Sequence, residues 1–153
     1  MSPKNLNWIN MAEFEQTVFT SLTPKEKDLV ISHHVSRQYQ KNDFIYKAGD
    51  KPSGLLWLTE GKVKIFQEGV SKRGQIVRMA KPMEFIGYRA LFAEEDHMSS
   101  AVAIEDSVVC ELDCEILYQL IRKNSMFALA IIKTIASELG FSNRRTVALT
   151  QKH

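Results

Sequence analysis

The sequence predicts a mainly β protein, a barrel, sandwich or jelly roll of short strands with helices on both sides. Between residues 35 and 112, runs of β-branched and aromatic residues are interrupted by turn residues every few positions. Outside that segment, apolar residues recur at three- and four-residue steps, which is typical of amphipathic helices. The 153 residues, 44% apolar and 25% charged, have the composition of one globular domain.

The N-terminal segment predicts two helices before the first strand. Over residues 8–22, apolar residues recur at helical steps, which favours an amphipathic helix packed on the core. Thr23 then precedes Pro24, and Glu26 stands three residues after Thr23. This arrangement is a capping box, so we expect a second helix that begins here and ends near His33.

Seven short runs of strand-forming residues follow, separated by Gly, Pro, Asn and Asp residues that favour turns. The runs are Val35–Tyr39, Phe44–Lys47, Leu55–Thr59, Lys62–Gln67, Gln75–Met79, Ala101–Ile104 and Ser107–Leu112. This segment contains no paired catalytic carboxylates at a suggestive spacing, no Gly-x-Ser-x-Gly elbow and no phosphate loop. We therefore do not expect an enzyme.

The stretch Phe85–Ala101 is the candidate site for a small ligand. It predicts a strand end, a turn at Gly87, one short helical turn, a charged loop and the start of another strand. A glycine followed by a helix start presents free backbone N–H groups, so such a stretch can hold an anion without a catalytic side chain.

Helical periodicity returns after residue 112. Glu115–Ile121 predicts a short helix, and Asn124 begins the cap of a longer one. The longer helix carries a seam typical of coiled coils. That seam predicts a parallel homodimer with an interface formed by Leu129, Ile132, Ala136, Leu139, Asn143 and Thr146. A second stripe, which includes Phe127, Ile131 and Ile135, is expected to pack on the β segment.

The bulk charge and the cysteines exclude several functions. The net charge is +2, from 20 basic and 18 acidic side chains, which gives no reason to expect that this chain alone binds nucleic acid. No apolar run approaches membrane-spanning length and the N-terminus has no signal-peptide layout, so we expect a cytoplasmic protein without a membrane partner. Cys110 and Cys114 are too few ligands for zinc or an iron–sulfur cluster, and predict reduced thiols.

Several segments, in a fixed order, resemble one family. They are Gly49-Asp50, Leu56–Lys64, Phe85-Ile86-Gly87, Leu91-Phe92, Ser100-Ala101 and Val109–Leu112. In this order they resemble the cyclic-nucleotide-binding sensor domain of the CRP/FNR family of bacterial transcription regulators. The resemblance runs from about residue 20 to residue 150, which is nearly the whole chain.

The resemblance implies both a fold and a domain organisation. The fold is a double-stranded β-helix, or jelly roll, with flanking helices, followed by a long dimerisation helix. The implied division is an N-terminal helix over 1–22, a β-roll sensor domain over 23–123 and the dimerisation helix over 124–153. A winged helix-turn-helix that binds promoter DNA would normally follow, and it is absent from this chain.

The candidate site departs from the family pattern at its charged residues. Members that bind cyclic AMP have a glutamate after the Phe-x-Gly for the ribose and an Arg-Ser pair for the phosphate. Here Tyr88 replaces the glutamate, and Ser99 and Ser100 stand where the pair would be. Loss of the arginine is expected to weaken a phosphate ligand by about two to three powers of ten, so we expect an effector other than cyclic AMP.

The resemblance still places the ligand at this turn, with polar contacts from the long helix. The candidate ligand-binding residues are Gly87, Tyr88, Arg89, Ser99, Ser100, Ser142 and Asn143. Arg89 is either a replacement cation for the ligand or an exposed charge on the short helix. The second role is the expected one.

Three alternatives remain. A haem-based nitric oxide or carbon monoxide sensor of the same family would need an axial ligand, for which His97 or Met98, or the His33-His34 pair, are candidates. A cupin-like enzyme would need a metal cluster of His and carboxylates. A purely structural module would have lost its ligand. The iron–sulfur cluster of the oxygen-sensing branch is not expected, because residues 1 to 30 contain no cysteine.

Overall fold

The computed structural model describes residues 17–68 and 74–150, with side chains described over 17–67 and 78–138. Eight strands lie in these ranges. They are β1 Val35–Tyr39, β2 Phe44–Tyr46, β3 Gly54–Glu60, β4 Val63–Glu68, β5 Gly74–Ala80, β6 Phe85–Ile86, β7 Ser100–Ala103 and β8 Ser107–Asp113. All seven predicted strands are present, and β6 is the strand end predicted at the candidate site.

The strands form two four-stranded antiparallel sheets, ordered β1-β8-β3-β6 and β2-β7-β4-β5. Alternate residues of a strand point to the same face of its sheet, so each sheet has one face that packs against the other sheet. This core between the sheets contains Tyr46, Leu58, Val63, Ile65, Ala80, Ile86, Ala101 and Val109. The prediction of a jelly roll is confirmed.

Within the same described ranges, five helical segments accompany the roll. They are a 3-10 helix over Val18–Ser21 and the α-helices α1 Pro24–His33, α2 Tyr88–Ala93, α3 Cys114–Lys123 and α4 Ser125–Thr150. The predicted capping box of α1 is present: Thr23 Oγ1 accepts from the Glu26 N–H at 3.2 Å, and Glu26 Oε1 accepts from the Thr23 N–H at 2.9 Å. None of the helices within the described ranges combines the length and apolarity that a membrane span requires.

The predicted first helix needs a correction in the part that the structure describes. Residues 1–16 lie outside the described residues, and the following segment forms only the 3-10 turn Val18–Ser21. Thr17 caps that turn by accepting from the Phe19 N–H at 3.2 Å. Phe19 is fully buried, with its ring centroid 5.2 Å from that of Trp57, and the turn ends at Leu22, whose backbone is extended.

A second core holds the long helix against the roll. Phe127 and Ile131 of α4 are buried in it, which confirms that the second apolar stripe packs on the β segment. Asn124 fixes the start of α4, because its Oδ1 accepts from the Phe127 N–H at 3.0 Å. Its Nδ2 donates to Ser21 O at 3.0 Å and to Glu26 Oε1 at 2.8 Å. The division of the chain at residues 22 and 123 stays a prediction.

Candidate functional site

The roll and the long helix enclose a cleft of about 1140 Å³. Its walls come from β2, β4 and β5, from α2 and the loop after it, and from α4. Ligand sites for small molecules typically occupy about 300–1,000 Å³. The cleft is therefore large enough for a metabolite-sized ligand, and it lies at the stretch that the sequence predicts.

The turn at Gly87 shapes one wall of the cleft. Gly87 has φ +71°, in the left-handed region that favours glycine, and it is the N-cap of the six-residue helix α2. A Cβ on Gly87 would lie 2.9 Å from His97 Cε1 and 3.1 Å from Tyr46 Cε2. Glycine is thus required here both by the backbone conformation and by the close approach of two rings.

Those two rings stack on each other. The ring centroids of Tyr46 and His97 are 3.7 Å apart and their planes are 11° from parallel. The His97 backbone is held by Gly49 and Asp50, whose N–H and carbonyl bond to it at 2.8 and 2.9 Å. Burial raises the pKa of Tyr46 to about 12 and lowers the pKa of His97 below its ordinary value. Both side chains are therefore neutral at pH 7.

Of the predicted polar residues, Tyr88, Ser99 and Arg89 line the cleft, whereas Ser100 does not. Tyr88 is partly buried, and burial, with the nearby Glu138 carboxylate, raises the pKa of its phenol. Ser99 shares a hydrogen bond with Tyr46. Ser100 instead accepts from the Ala48 N–H at 2.9 Å and is not among the cleft-lining residues.

Arg89 has the exposed role that the sequence favours. Its side chain lies at the cleft but is 59% exposed, and it pairs with Glu95 at 2.9 Å. An exposed pair of this kind contributes little, about 0–1 kcal/mol. The side chains of Ser142 and Asn143 lie outside the described side chains, so their place in the site stays a prediction.

The site also contains an arginine that was not predicted from the sequence. Arg78 lies on β5, opposite Ile65 of β4, and its side chain is 21% exposed. Its Nη1 donates to Glu138 Oε1 of α4 at 3.3 Å, its Nη2 donates to the Phe85 carbonyl, and the guanidinium also bonds to Tyr88. Its Nε is buried and has no hydrogen-bond partner among the described residues.

One signal in the sequence could have found Arg78. Alternate residues of a strand share a face, so Arg78 lies on the same face of β5 as Ala80, which is fully buried. An arginine on an inward face needs an anion or several acceptors to offset the loss of hydration. The family resemblance pointed to a cation only in the loop after α2, and Arg78 lies outside that loop.

The haem alternative gains no support from the geometry. His97 is 6% exposed, and one face of its ring is covered by Tyr46. Met98 is 57% exposed, and His33 Nδ1 lies 3.0 Å from the Leu29 carbonyl at the end of α1. Within the described ranges, no group of three or more His, Cys, Asp or Glu side chains could hold a metal ion.

The face of α4 that points away from the roll carries exposed apolar residues. Met126 is 64%, Leu129 50% and Ile132 59% exposed, and Ala136 is exposed on the same face. These residues include the start of the predicted dimer seam. The side chains of Leu139, Asn143 and Thr146 lie outside the described ones, so the interface as a whole stays a prediction.

A jelly roll closed by a long helix, with a ligand-sized cleft at a Phe-x-Gly turn, is the architecture of a cyclic-nucleotide-binding sensor domain. Residues 36–124 match the family model described as cyclic nucleotide-binding domain. The chain belongs to this family, and its relatives are regulators of the CRP/FNR type.

Two of the relatives are regulators with different names. The chain is 30% identical over 122 residues to a cyclic AMP receptor protein of Thermus thermophilus, which is 80% of this chain and 56% of the relative. It is 28% identical over 113 residues to an anaerobic regulatory protein of Haemophilus influenzae, which is 74% of this chain and 43% of the relative. The chain thus spans about half the length of these regulators.

Solved structures agree on the fold. The catabolite activator protein of Thermus thermophilus has a TM-score of 0.75 and 28% identity, over 87% of this chain and 62% of that one. The sensor domain of the regulator DNR from Pseudomonas aeruginosa has a TM-score of 0.76 over 84% of this chain and 87% of its own. At 15% identity, the likeness to DNR supports the fold alone.

Proposed function

We propose that this chain is the effector-sensing and dimerisation module of a bacterial CRP/FNR-type transcription regulator, and that its effector is not cyclic AMP. It is a binding module rather than an enzyme. The full regulator binds promoter DNA through a separate winged helix-turn-helix domain, as a homodimer formed through α4.

The observation that carries the proposal is the double role of α4. One face supplies Ile135 and Glu138 to the cleft, and another face exposes Leu129 and Ile132. A ligand in the cleft therefore contacts the same rigid helix that pairs with a second subunit. A ligand that binds one arrangement of this helix more tightly shifts the population toward it, and attached DNA-binding domains would reorient.

Cyclic AMP is disfavoured by the groups that line the cleft near the turn. Where the family resemblance puts a ribose-binding glutamate there is Tyr88, a phenol whose pKa is raised. Where it puts the phosphate-binding pair, there are two serines, of which Ser100 already bonds to Ala48. Tyr88 thus provides no carboxylate for the ribose, and the two serines provide no positive charge for the cyclic phosphate at that place.

Calorimetric titration with cyclic AMP and cyclic GMP tests the choice of effector. We expect no saturable heat with a dissociation constant tighter than about 1 mM, which corresponds to about −4 kcal/mol. The combined change of Tyr88→Glu and Ser99→Arg restores the family's charged groups and should gain at least tenfold affinity for cyclic AMP, with 5′-AMP as the control ligand. Micromolar binding of cyclic AMP by the unmodified chain would refute the proposal about the effector.

A further inference from the structure

Arg78 is a cation without a matched partner. The planar guanidinium is suited to bidentate contacts with carboxylate or phosphate groups. Its only carboxylate contact among the described residues is one Glu138 oxygen at 3.3 Å, longer than a good charged hydrogen bond, while its Nε has no partner. The Glu138 side chain is itself 40% exposed. The ion pair therefore consists of one long contact, and neither side chain has its full set of hydrogen bonds from the other.

The surroundings of Arg78 are suited to a ligand with an anionic group and an apolar body. Ile65, Phe92 and Ile135 line the cleft with apolar surface, and Tyr46 and Tyr88 add neutral aromatic rings. The remaining charged groups, Lys81, Glu84 and Arg89, also line the cleft. Glu84 Oε1 accepts from the backbone N–H of Lys81 at 3.0 Å. Arg89 pairs with Glu95, which is not among the residues that line the cleft.

We propose that the cleft binds a small organic anion, and that its carboxylate or phosphate group replaces Glu138 as the partner of Arg78. This inference rests on the proposed sensing function and names the ligand class and the coupling. Arg78 belongs to the roll and Glu138 to α4, so the present ion pair joins the two elements that enclose the cleft. A ligand anion on Arg78 breaks that link and frees this turn of the helix, while Arg78 keeps a charged partner throughout.

The test uses three eight-carbon probes in calorimetric titrations of the unmodified chain, below micelle-forming concentrations. Octanoate carries a carboxylate, octyl phosphate carries a phosphate, and 1-octanol carries neither. We expect saturable binding of at least one anion, at least tenfold tighter than the alcohol. The tighter of the two anions distinguishes a carboxylate effector from a phosphate effector. Equal binding of the alcohol, or no binding of either anion, overturns the inference.

Three variants locate the anion and test the exchange. Arg78→Gln should weaken binding of the anionic probe at least tenfold, and Arg37→Gln, which removes an exposed cation that pairs with Glu111 away from the cleft, should leave it unchanged. Glu138→Gln removes the internal competitor and should tighten binding about fivefold. Unchanged affinity in Arg78→Gln, or weaker binding in Glu138→Gln, overturns the proposal.

Two controls keep the outcome clear. A thermal melt establishes whether Arg78→Gln is folded, and if it is not, Glu138→Gln decides alone, because its change is a gain of affinity on a half-exposed side chain. The proposed sensing function is tested separately, by the cyclic nucleotide titrations and by self-association. If only the eight-carbon series fails, the anion inference falls and the proposed function stands.

Discussion

The exposed apolar face of α4 leads to the most direct prediction, that Ile132→Gln weakens self-association of this chain. Glutamine has a helix propensity close to that of the best helix formers, so the change removes apolar surface without disturbing the helix. Ile132 is 59% exposed in the single chain, and the unmodified protein is expected to sediment as a dimer.

The magnitude follows from that exposure. Complete burial of an isoleucine contributes about 1.5–3 kcal/mol, so burial of the exposed 59% contributes about 1 kcal/mol. A twofold dimer contains two copies of Ile132, which makes about 2 kcal/mol for the position. Because each 1.4 kcal/mol is a factor of ten, the dimer should dissociate about 30-fold more readily.

Sedimentation equilibrium measures the dissociation constant directly. The matched control is Met98→Gln, which replaces another apolar side chain, 57% exposed, that lies in the cleft loop rather than on α4. We expect it to leave self-association unchanged. An unmodified chain that stays monomeric, or equal weakening by both variants, would refute the assignment of this face to the dimer.

Three further predictions concern stability. Gly87→Ala should lower the free energy of unfolding, measured in urea, by at least about 1 kcal/mol more than Gly49→Ala. Both glycines have positive φ, but of the two only Gly87 lacks room for a Cβ. Equal losses would contradict the packing argument. Asn124→Ala should cost about 2–3 kcal/mol, from a lost cap and two lost side-chain bonds, with Ser125→Ala, an exposed neighbour, nearly neutral. Neutral Tyr46 stabilises the fold fully below pH 10, and this contribution, up to about 3 kcal/mol, should be lost as the pH rises from 10 towards 12. Tyr46→Phe should flatten that part of the pH profile, and an unchanged slope would show that Tyr46 does not cause it.

Much of the fold was predictable because it depends on local patterns. Short runs of strand-forming residues separated by turn residues identified the strands, and the capping box at Thr23 identified the start of α1. The two stripes of α4 were also predictable, since residues three and four apart share a face of a helix. At Phe85–Ala101, the order strand, glycine turn, helix and strand was predicted correctly for the same reason.

The chemistry of the cleft was less predictable because it depends on contacts between distant residues. Arg78 and Glu138 are 60 residues apart, and Tyr46 and His97 belong to segments brought together by the pairing of β2 with β7 and by the bonds of Gly49 and Asp50 to His97. Local pattern does not specify which strands become neighbours or which loop a helix covers. Strand alternation could have marked Arg78 as inward-facing, but it could not have shown that Glu138 of α4 is its partner.

The family resemblance implied the jelly roll. The sequence by itself determined the short strands, the glycine turn and the uncharged residues Tyr88, Ser99 and Ser100 at the positions where the family has its charged site. Those features depend on residue types and on spacings within single elements. Only the tertiary structure decided that the cleft contains Arg78, a mostly buried cation, because pairing of β5 with β4 places Arg78 at the cleft and packing of α4 brings Glu138 to it. The partner of a buried charge depends on residues that are distant in the sequence. For Arg78 this partner is Glu138, and we expect the ligand anion to replace it.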